Sequence, residues 1–376
     1  MKTSVYADNA ATTELDPDAF EAMTPYFLEE YGNPSQPYTF ARAPKTALHE
    51  ARATIADCIG ALPEEIYFTS GGTESDNWSI KGSLFAKSKK TGVITSAFEH
   101  HAVLHSCQAM ERLGYPVVYL QPDKAGIVEP ATLQEHMTRD FKTVSIMFAN
   151  NEIGVIQPIR ELCEIAHAFG AVFHTDAVQA VGHVPVDVAT IGVDLLSVSA
   201  HKFNGPKGIG FLYIKKGTNI APYADGGAQE RKYRAGTENV PLIVGMATAL
   251  KKNCSNMQKN ADHILGLERQ LLERLNCAGI VYSRNGSKNT LPGLLSLSFP
   301  GASGEAILHR MDLQGIAIST GSACDSQNTK ISHVLRSIQL DEASAKGTIR
   351  ISLGRNNTAE DVERIVYALV KTVSVK

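Results

Sequence analysis

The residues best placed to do chemistry stand where apolar runs end. EIYF (65–68) gives way to Thr69-Ser70-Gly71-Gly72-Thr73-Glu74. AVFHTDAVQA (171–180) reaches His174, Thr175 and Asp176, with Gln179 one turn further on. DLLSVSAHK (194–202) ends with Ser199, His201 and Lys202, before the turn Gly205-Pro206-Lys207-Gly208. A glycine pair that opens a helix leaves backbone N–H groups free for an anion, and the Thr73 hydroxyl adds a donor. A carboxylate at the end of an apolar strand costs free energy unless a cation or a strong donor meets it. Taken singly, each site also has an ordinary reading: a glycine turn, a helix N-cap, a solvated lysine. A fourth candidate is the polar run Gly321-Ser322-Ala323-Cys324-Asp325-Ser326-Gln327-Asn328-Thr329-Lys330, whose cysteine lacks the apolar neighbours that surround Cys58, Cys107 and Cys163. A thiol in such a setting is a candidate nucleophile.

These residues need a scaffold that brings them together. From about Glu65 to Lys215, β-branched runs (EIYFTS, GVITSAF, PVVYLQ, TVSIMFA, AVFHTD, DLLSVS, GIGFLYIK) alternate with stretches of helical period. In one such stretch, PIRELCEIAHAFG, Pro158 suits the first turn, and Leu162, Ile165, Ala166 and Phe169 form one stripe. This rhythm predicts a mostly parallel sheet of seven strands with helices on both faces, an α/β fold whose ligands sit beyond the strands' carboxyl ends. After Asn239 a single long helical run is expected, then strands LLSLSFP and TIRISLG separated by EAILHRMDL. A helix capped at Asn357 or Thr358 follows, with Val362, Ile365, Val366 and Leu369 inward. We expect residues 14–255 to form a large domain and residues 1–13 with 256–376 a smaller α+β domain that carries the cysteine loop at about 321–333.

On neighbouring strand ends, an anion cradle, a lone carboxylate and a lone amine match the needs of pyridoxal 5'-phosphate: a phosphate site, a partner for the ring nitrogen and an amine for a Schiff base. A nucleotide is the competing ligand, but G-x-x-x-x-G-K-[ST] is absent and GPKGIG does not follow G-x-G-x-x-G. Lys plus Arg is 36 against 39 Asp plus Glu, so the chain lacks the basic footprint of a nucleic-acid or anionic-membrane binder. With 43% apolar and 20% charged residues it reads as globular and not as disordered or collagen-like. The six cysteines, no two closer than 23 residues, trace no zinc pattern. No metal is expected. The absence of a secretory leader or an apolar span points to a cytoplasmic enzyme.

Ten motifs occur in an order that makes the chain resemble the NifS/IscS-type cysteine desulfurases over nearly its whole length. They are Asp8-Asn9-Ala10-Ala11-Thr12-Thr13, GNPS (Gly32 to Ser35), TSGGTESDN, EHHAV, NNEIG, HTDAVQ, SAHK, RAGTEN, GSAC and IRISLG. The resemblance implies a homodimeric, fold-type-I pyridoxal phosphate enzyme that takes sulfur from L-cysteine, releases L-alanine and holds the sulfur as a persulfide. Carried over motif by motif, Lys202 would hold the cofactor and move the substrate α-proton. Asp176 would face the ring nitrogen, Gln179 the ring hydroxyl, and His100 would stack on the ring, chosen over His101 by motif register. Gly72, Thr73, Ser199 and His201 would hold the phosphate, joined by Thr237 of the other subunit. Asn151 would touch cofactor and substrate, Arg350 would take the substrate carboxylate, and Cys324 would accept the sulfur. The acceptor protein stays open among iron–sulfur cluster assembly, tRNA thiolation, cofactor synthesis and DNA sulfur modification. Selenocysteine lyase and a non-catalytic partner protein are the alternatives.

The chain departs from the family pattern at Gln36-Pro37-Tyr38, where a histidine is usual, and at Gly226-Gly227-Ala228 and Lys232-Tyr233. It departs again at Lys330-Ile331. Ending at Lys376, it is expected to lack the tail with which housekeeping members dock a scaffold.

Overall fold

The computed structural model describes residues 4–320 and 331–373. After a short strand β1 (Val5–Tyr6), seven strands build one sheet: β2 (Ile66–Thr69), β3 (Gly92–Ser96), β4 (Val117–Leu120), β5 (Phe141–Ser145), β6 (Val172–Asp176), β7 (Leu195–Ser199) and β8 (Gly210–Ile214). Their order is β2-β8-β7-β6-β5-β3-β4. Every pairing is parallel except those of β8, which runs antiparallel to both β2 and β7. Because β8 alone is reversed, β2 points the same way as the parallel strands. The carboxyl ends of β2, β3, β5, β6 and β7 therefore share one edge. The chain winds outward from β3 in both directions, so the connections after β3 and β5 diverge and open a crevice there.

Both faces of this sheet are covered, which is why β2, β3, β7 and β8 are buried from end to end and read as apolar runs without alternation. The main hydrophobic core holds Ile55, Phe68, Ile94, Val144, Phe173, Val198 and Phe211 among others. Helix Arg42–Ile59 packs there and stops at Gly60, whose φ of +67° is the left-handed conformation of a helix C-cap. A Cβ at Gly60 would also stand 2.6 Å from Asp187 Oδ2. Helix Ile159–Ala168 buries Leu162, Cys163 and Ala166, and the Lys90 ammonium donates to the Phe169 and Gly170 carbonyls at its end.

A second core gathers Val5, Leu267, Leu271, Leu297, Ile349, Ile351, Val362 and Ile365. Here β9 (Ser283–Arg284), β10 (Leu294–Ser298), β11 (Ile316–Ala317) and β12 (Thr348–Ser352) complete the strand set. The order β12-β10-β9 is antiparallel, and β11 pairs in parallel with β1. Helix Ala359–Val373 closes the described chain. Thr358 Oγ1 accepts from the Asp361 N–H at 3.2 Å, and the Asp361 carboxylate accepts from the Thr358 N–H at 3.0 Å, a reciprocal cap.

Two local expectations change. The long helical run after Asn239 is two helices, Val240–Ser255 and Met257–Cys277. They break at Asn256, whose amide donates to the Lys252 carbonyl and whose backbone leaves helical geometry. Pro158 is not in the first turn but one residue earlier, with a non-helical ψ of 63°.

Candidate active site

Along the edge where the strands end lies a cavity of about 440 Å³, lined mostly from the seven-stranded sheet and its connections, with Arg350 reaching it from β12. Of the residues singled out from the sequence, it collects Gly72, Thr73, His100, Asn151, Asp176, Gln179, Ser199, His201, Lys202 and Arg350. All but Arg350, which sits within β12, stand at a strand end or follow one by a short route. Gly71 follows β2 with φ +145°, where L side chains are rare, and a Cβ on Gly72 would lie 2.7 Å from Val178 Cγ2. That bare backbone opens a helix from Gly72 through a wide turn at Trp78–Gly82 to Phe85. Lys202 closes a 3₁₀ turn after β7, and its Nζ donates to the Ala10 and Ala11 carbonyls at 2.6 and 2.8 Å. Gln179 donates to the same Ala10 carbonyl at 2.9 Å, so the N-terminal segment lies across the lysine and the amide.

Of the adjacent asparagines, Asn150 is structural. Its carbonyl oxygen accepts from the Glu152 and Ile153 N–H groups, and its amide donates to Phe98 O. Asn151 is the one that lines the cavity, and its carbonyl accepts from Arg350 Nη1 at 2.8 Å. Arg350, almost fully buried on β12, also donates from Nη2 to Asp8 Oδ1 at 2.7 Å, while its Nε has no partner among the described residues. A buried guanidinium with a spare N–H is suited to a carboxylate ligand. His100 caps helix His101–Arg112, its Nδ1 accepting from the Ala102 N–H. Burial, the Lys202 charge and neighbouring histidines push it down to about 4, so at neutral pH it is an uncharged ring. His101 also lines the cavity, and its ring stands beside those of His105 and His333, with centroids 5.0 and 4.7 Å away. His201, bonded to Thr12 Oγ1, is likewise pushed down to about 4 by burial and by Lys202 and Lys207.

Four buried carboxyl groups surround this floor, and only Asp176 was singled out from the sequence. Burial pushes Asp176 up to about 6, opposed by the Val178 N–H and the Lys202 charge. Burial raises Glu152 to about 7 against the Ser332 hydroxyl and Arg350. It raises Glu99 to about 8 against Ser96 and the Met147 N–H. Asp76 is raised well above the usual range, by burial first and by Asp176 second. Asp76, His100 and Asp176 place ligand-type atoms within 4.8 Å of one another, the one such triple among the described residues. The Lys202 charge acting on both His100 and Asp176 disfavours a metal cation there.

Glu99 carries a pH prediction. Between the unfolded value of 4.5 and about 8, the folded protein keeps a proton that the unfolded chain has released. Stability of the cofactor-free protein therefore falls as pH rises through that window, by up to about 1.4 kcal/mol per pH unit from this group. Glu99→Gln is expected to flatten the dependence in chemical unfolding at several pH values. An unchanged slope would remove Glu99 as its source.

Cys324 and residues 321–330 lie outside the described residues, but both neighbours of that segment are anchored at the cavity. Before it, Ser319 exchanges two backbone hydrogen bonds with Arg350, at 2.7 and 3.0 Å. After it, the Ser332 hydroxyl donates to Glu152 Oε2 at 2.5 Å and His333 Nε2 meets the Glu99 carbonyl at 2.9 Å. Thr237 is exposed and outside the cavity of its own chain. Among the other cysteines, Cys107 and Cys163 are buried as expected, whereas Cys58 is half-buried and Cys277, at a helix end, is exposed.

Residues 5–365 match the family model described as Aminotransferase class-V. The chain is 48% identical to "Cysteine desulfurase IscS" of Dictyoglomus turgidum, over 100% of this chain and 97% of that protein. Among solved structures, a "NifS-like protein" superposes with a TM-score of 0.93 at 36% identity, covering 99% of this chain and 100% of the other. One described as "SspA in complex with cysteine" gives 0.83 at 34% identity, covering 94% and 100%.

Proposed function

The chain belongs to the aminotransferase class-V family and is a cysteine desulfurase within it, and from that premise we propose that pyridoxal 5'-phosphate occupies the cavity, with Cys324 receiving the sulfur of L-cysteine. The observation that carries this reading is the convergence of Lys202, Asp176, the bare Gly72 backbone and Arg350 from separate elements on one cavity. Two buried polar atoms there, Asp76 Oδ1 and Arg350 Nε, lack partners among the described residues. A charged, hydrogen-bonding ligand would supply them.

When bound, the cofactor supplies an electron sink for charge developing at the substrate Cα. Lys202 would hold it covalently and move the proton at Cα. Asp176 would keep the ring nitrogen protonated, Gln179 would meet the ring hydroxyl and His100 would pack beside the ring. Gly72, Thr73, Ser199 and His201 would take the phosphate through N–H and side-chain donors. Asn151 touches cofactor and substrate, and Arg350 fixes the substrate carboxylate. Cys324, as a thiolate, attacks the substrate sulfur: the S–S bond forms, the Cβ–S bond breaks, and protonation of the carbon skeleton yields alanine. The balance is L-cysteine plus one enzyme thiol to L-alanine plus one enzyme persulfide, which an acceptor protein then consumes.

The cavity test is chemical. Borohydride reduction of the protein with pyridoxal phosphate, followed by peptide mapping, is expected to find the adduct on Lys202. An adduct on Lys207, or none, would refute the assignment.

We take residues 14–255, and 1–13 with 256–376, as the two domains, the second carrying Arg350 and Cys324. Thr237 serves the cavity of a second copy, so the working unit is a homodimer. Light scattering is expected to give twice the chain mass. A monomer with full cofactor occupancy would contradict it.

A further inference from the structure

Asp76 has no task in the mechanism above, yet it lines the same cavity. It lies one helical turn after Gly72 and is almost wholly buried. Its Oδ1 has no hydrogen-bond partner among the described residues. Behind it runs a buried polar chain: Ser145 Oγ meets His174 Nδ1 at 2.8 Å, and His174 Nε2 meets Ser197 Oγ at 2.9 Å, with Ser197 beside Asp76. His174 Nε2 is itself 3.7 Å from Asp76 Oδ1, but the imidazole is fully buried and both its nitrogens are occupied by serines, so it stays neutral and brings no charge.

Two carboxyl groups with oxygens within 4.8 Å of each other, both buried, cannot both ionise without a large Coulomb cost. The environment decides which keeps the proton. Asp176 has the Val178 N–H on its Oδ1 at 3.0 Å and the Lys202 charge nearby. Asp76 has the single Ser197 hydroxyl, an orphaned Oδ1 and otherwise only a neutral chain behind it, with no cation among the described residues beside it to match the Lys202 charge at Asp176.

We propose that Asp76 and Asp176 form a two-carboxyl counter-ion for the cofactor's ring nitrogen, holding one negative charge between them, with the proton on Asp76 and the charge on Asp176. Asp76 is then a positioning residue that keeps a single charge under the ring and takes that charge over when Asp176 is removed. This inference rests on the pyridoxal phosphate reading of the site.

The test uses pyridoxamine 5'-phosphate, which offers the same ring and phosphate but cannot bond to Lys202. Its affinity for the cofactor-free protein is measured by calorimetry. Failure of the unsubstituted protein to bind it would sink the cofactor reading, and this inference with it. Given binding, Asp76→Asn, an isostere of the neutral acid, is expected to stay within about threefold of the unsubstituted protein. Asp176→Asn should weaken binding by about tenfold, and the double variant by about tenfold more, because no carboxyl remains to ionise. Infrared difference spectra of the cofactor-free protein should show a protonated-carboxyl band that Asp76→Asn removes. A tenfold loss in Asp76→Asn alone, a double variant no weaker than Asp176→Asn, or no band assignable to Asp76 would each overturn the proposal.

Discussion

Cys324→Ser is expected to keep the cofactor spectrum of the unsubstituted protein while alanine release from L-cysteine falls by at least about a thousandfold, the scale on which removal of a nucleophile acts. The other groups proposed to meet the substrate stay in place: Arg350, Asn151 and Lys202 all line the cavity from described elements. What is lost is the atom that accepts the sulfur, since a serine hydroxyl is neither ionised at neutral pH nor a partner for sulfur. The variant should still bind L-cysteine and change colour with it. Selenium leaves carbon more readily than sulfur does, so activity on selenocysteine is expected to fall much less. The deciding measurements are alanine release and mass spectrometry of the peptide containing residue 324 after one turnover. Undiminished alanine, or a sulfur adduct confined to another cysteine such as the exposed Cys277, would remove Cys324 from the reaction.

The second large effect belongs to Lys202. Its replacement by alanine should abolish covalent attachment of the cofactor and lower turnover by about a thousandfold or more, because the proton at Cα loses its carrier. The local fold should survive. Lys202 ends a short turn at the cavity wall, and the carbonyls of Ala10 and Ala11 that it meets are left facing open space. A small primary amine added to the solution can enter that space, so partial rescue that rises with the amine's basicity is expected. Full activity without added amine would mean that another base moves the proton.

The sheet was legible in the sequence because its strands are buried on both faces, so β-branched runs such as GVITS and LLSVS stand out without alternation. The residues at strand ends were legible for a related reason: a lone Asp176 or Lys202 beside an apolar run conflicts with its surroundings. The break at Asn256 was not legible, since either flank continues the helical period and a single side-chain bond to Lys252 O makes the interruption. Asp76, Glu99 and Glu152 were hidden for a deeper reason. Each lies inside a quoted motif, but what sets it apart is burial beside partners such as Met147 and Ser332, brought together only by the fold. The same holds for the Ala10 and Ala11 carbonyls, far from Lys202 in sequence and visible in it only as small residues.

The backbone ladder between Ser319 and Arg350 sets the length of a leash. Cys324 is five residues beyond Ser319, and an extended chain covers at most about 3.5 Å per residue, so the Cys324 backbone stays within about 17 Å of that fixed point. The foot at Ser332, eight residues away, allows a longer radius of about 28 Å and is the looser constraint. The sulfur reaches past that backbone limit only by the length of one side chain, so pick-up and delivery must both take place within this reach of Ser319, which is bonded to the strand that bears Arg350. An acceptor protein must therefore bring its receiving atom within the same reach of Ser319. One whose receiving atom lies at the bottom of a deep pocket could be served only if the walls of that pocket admit the leash.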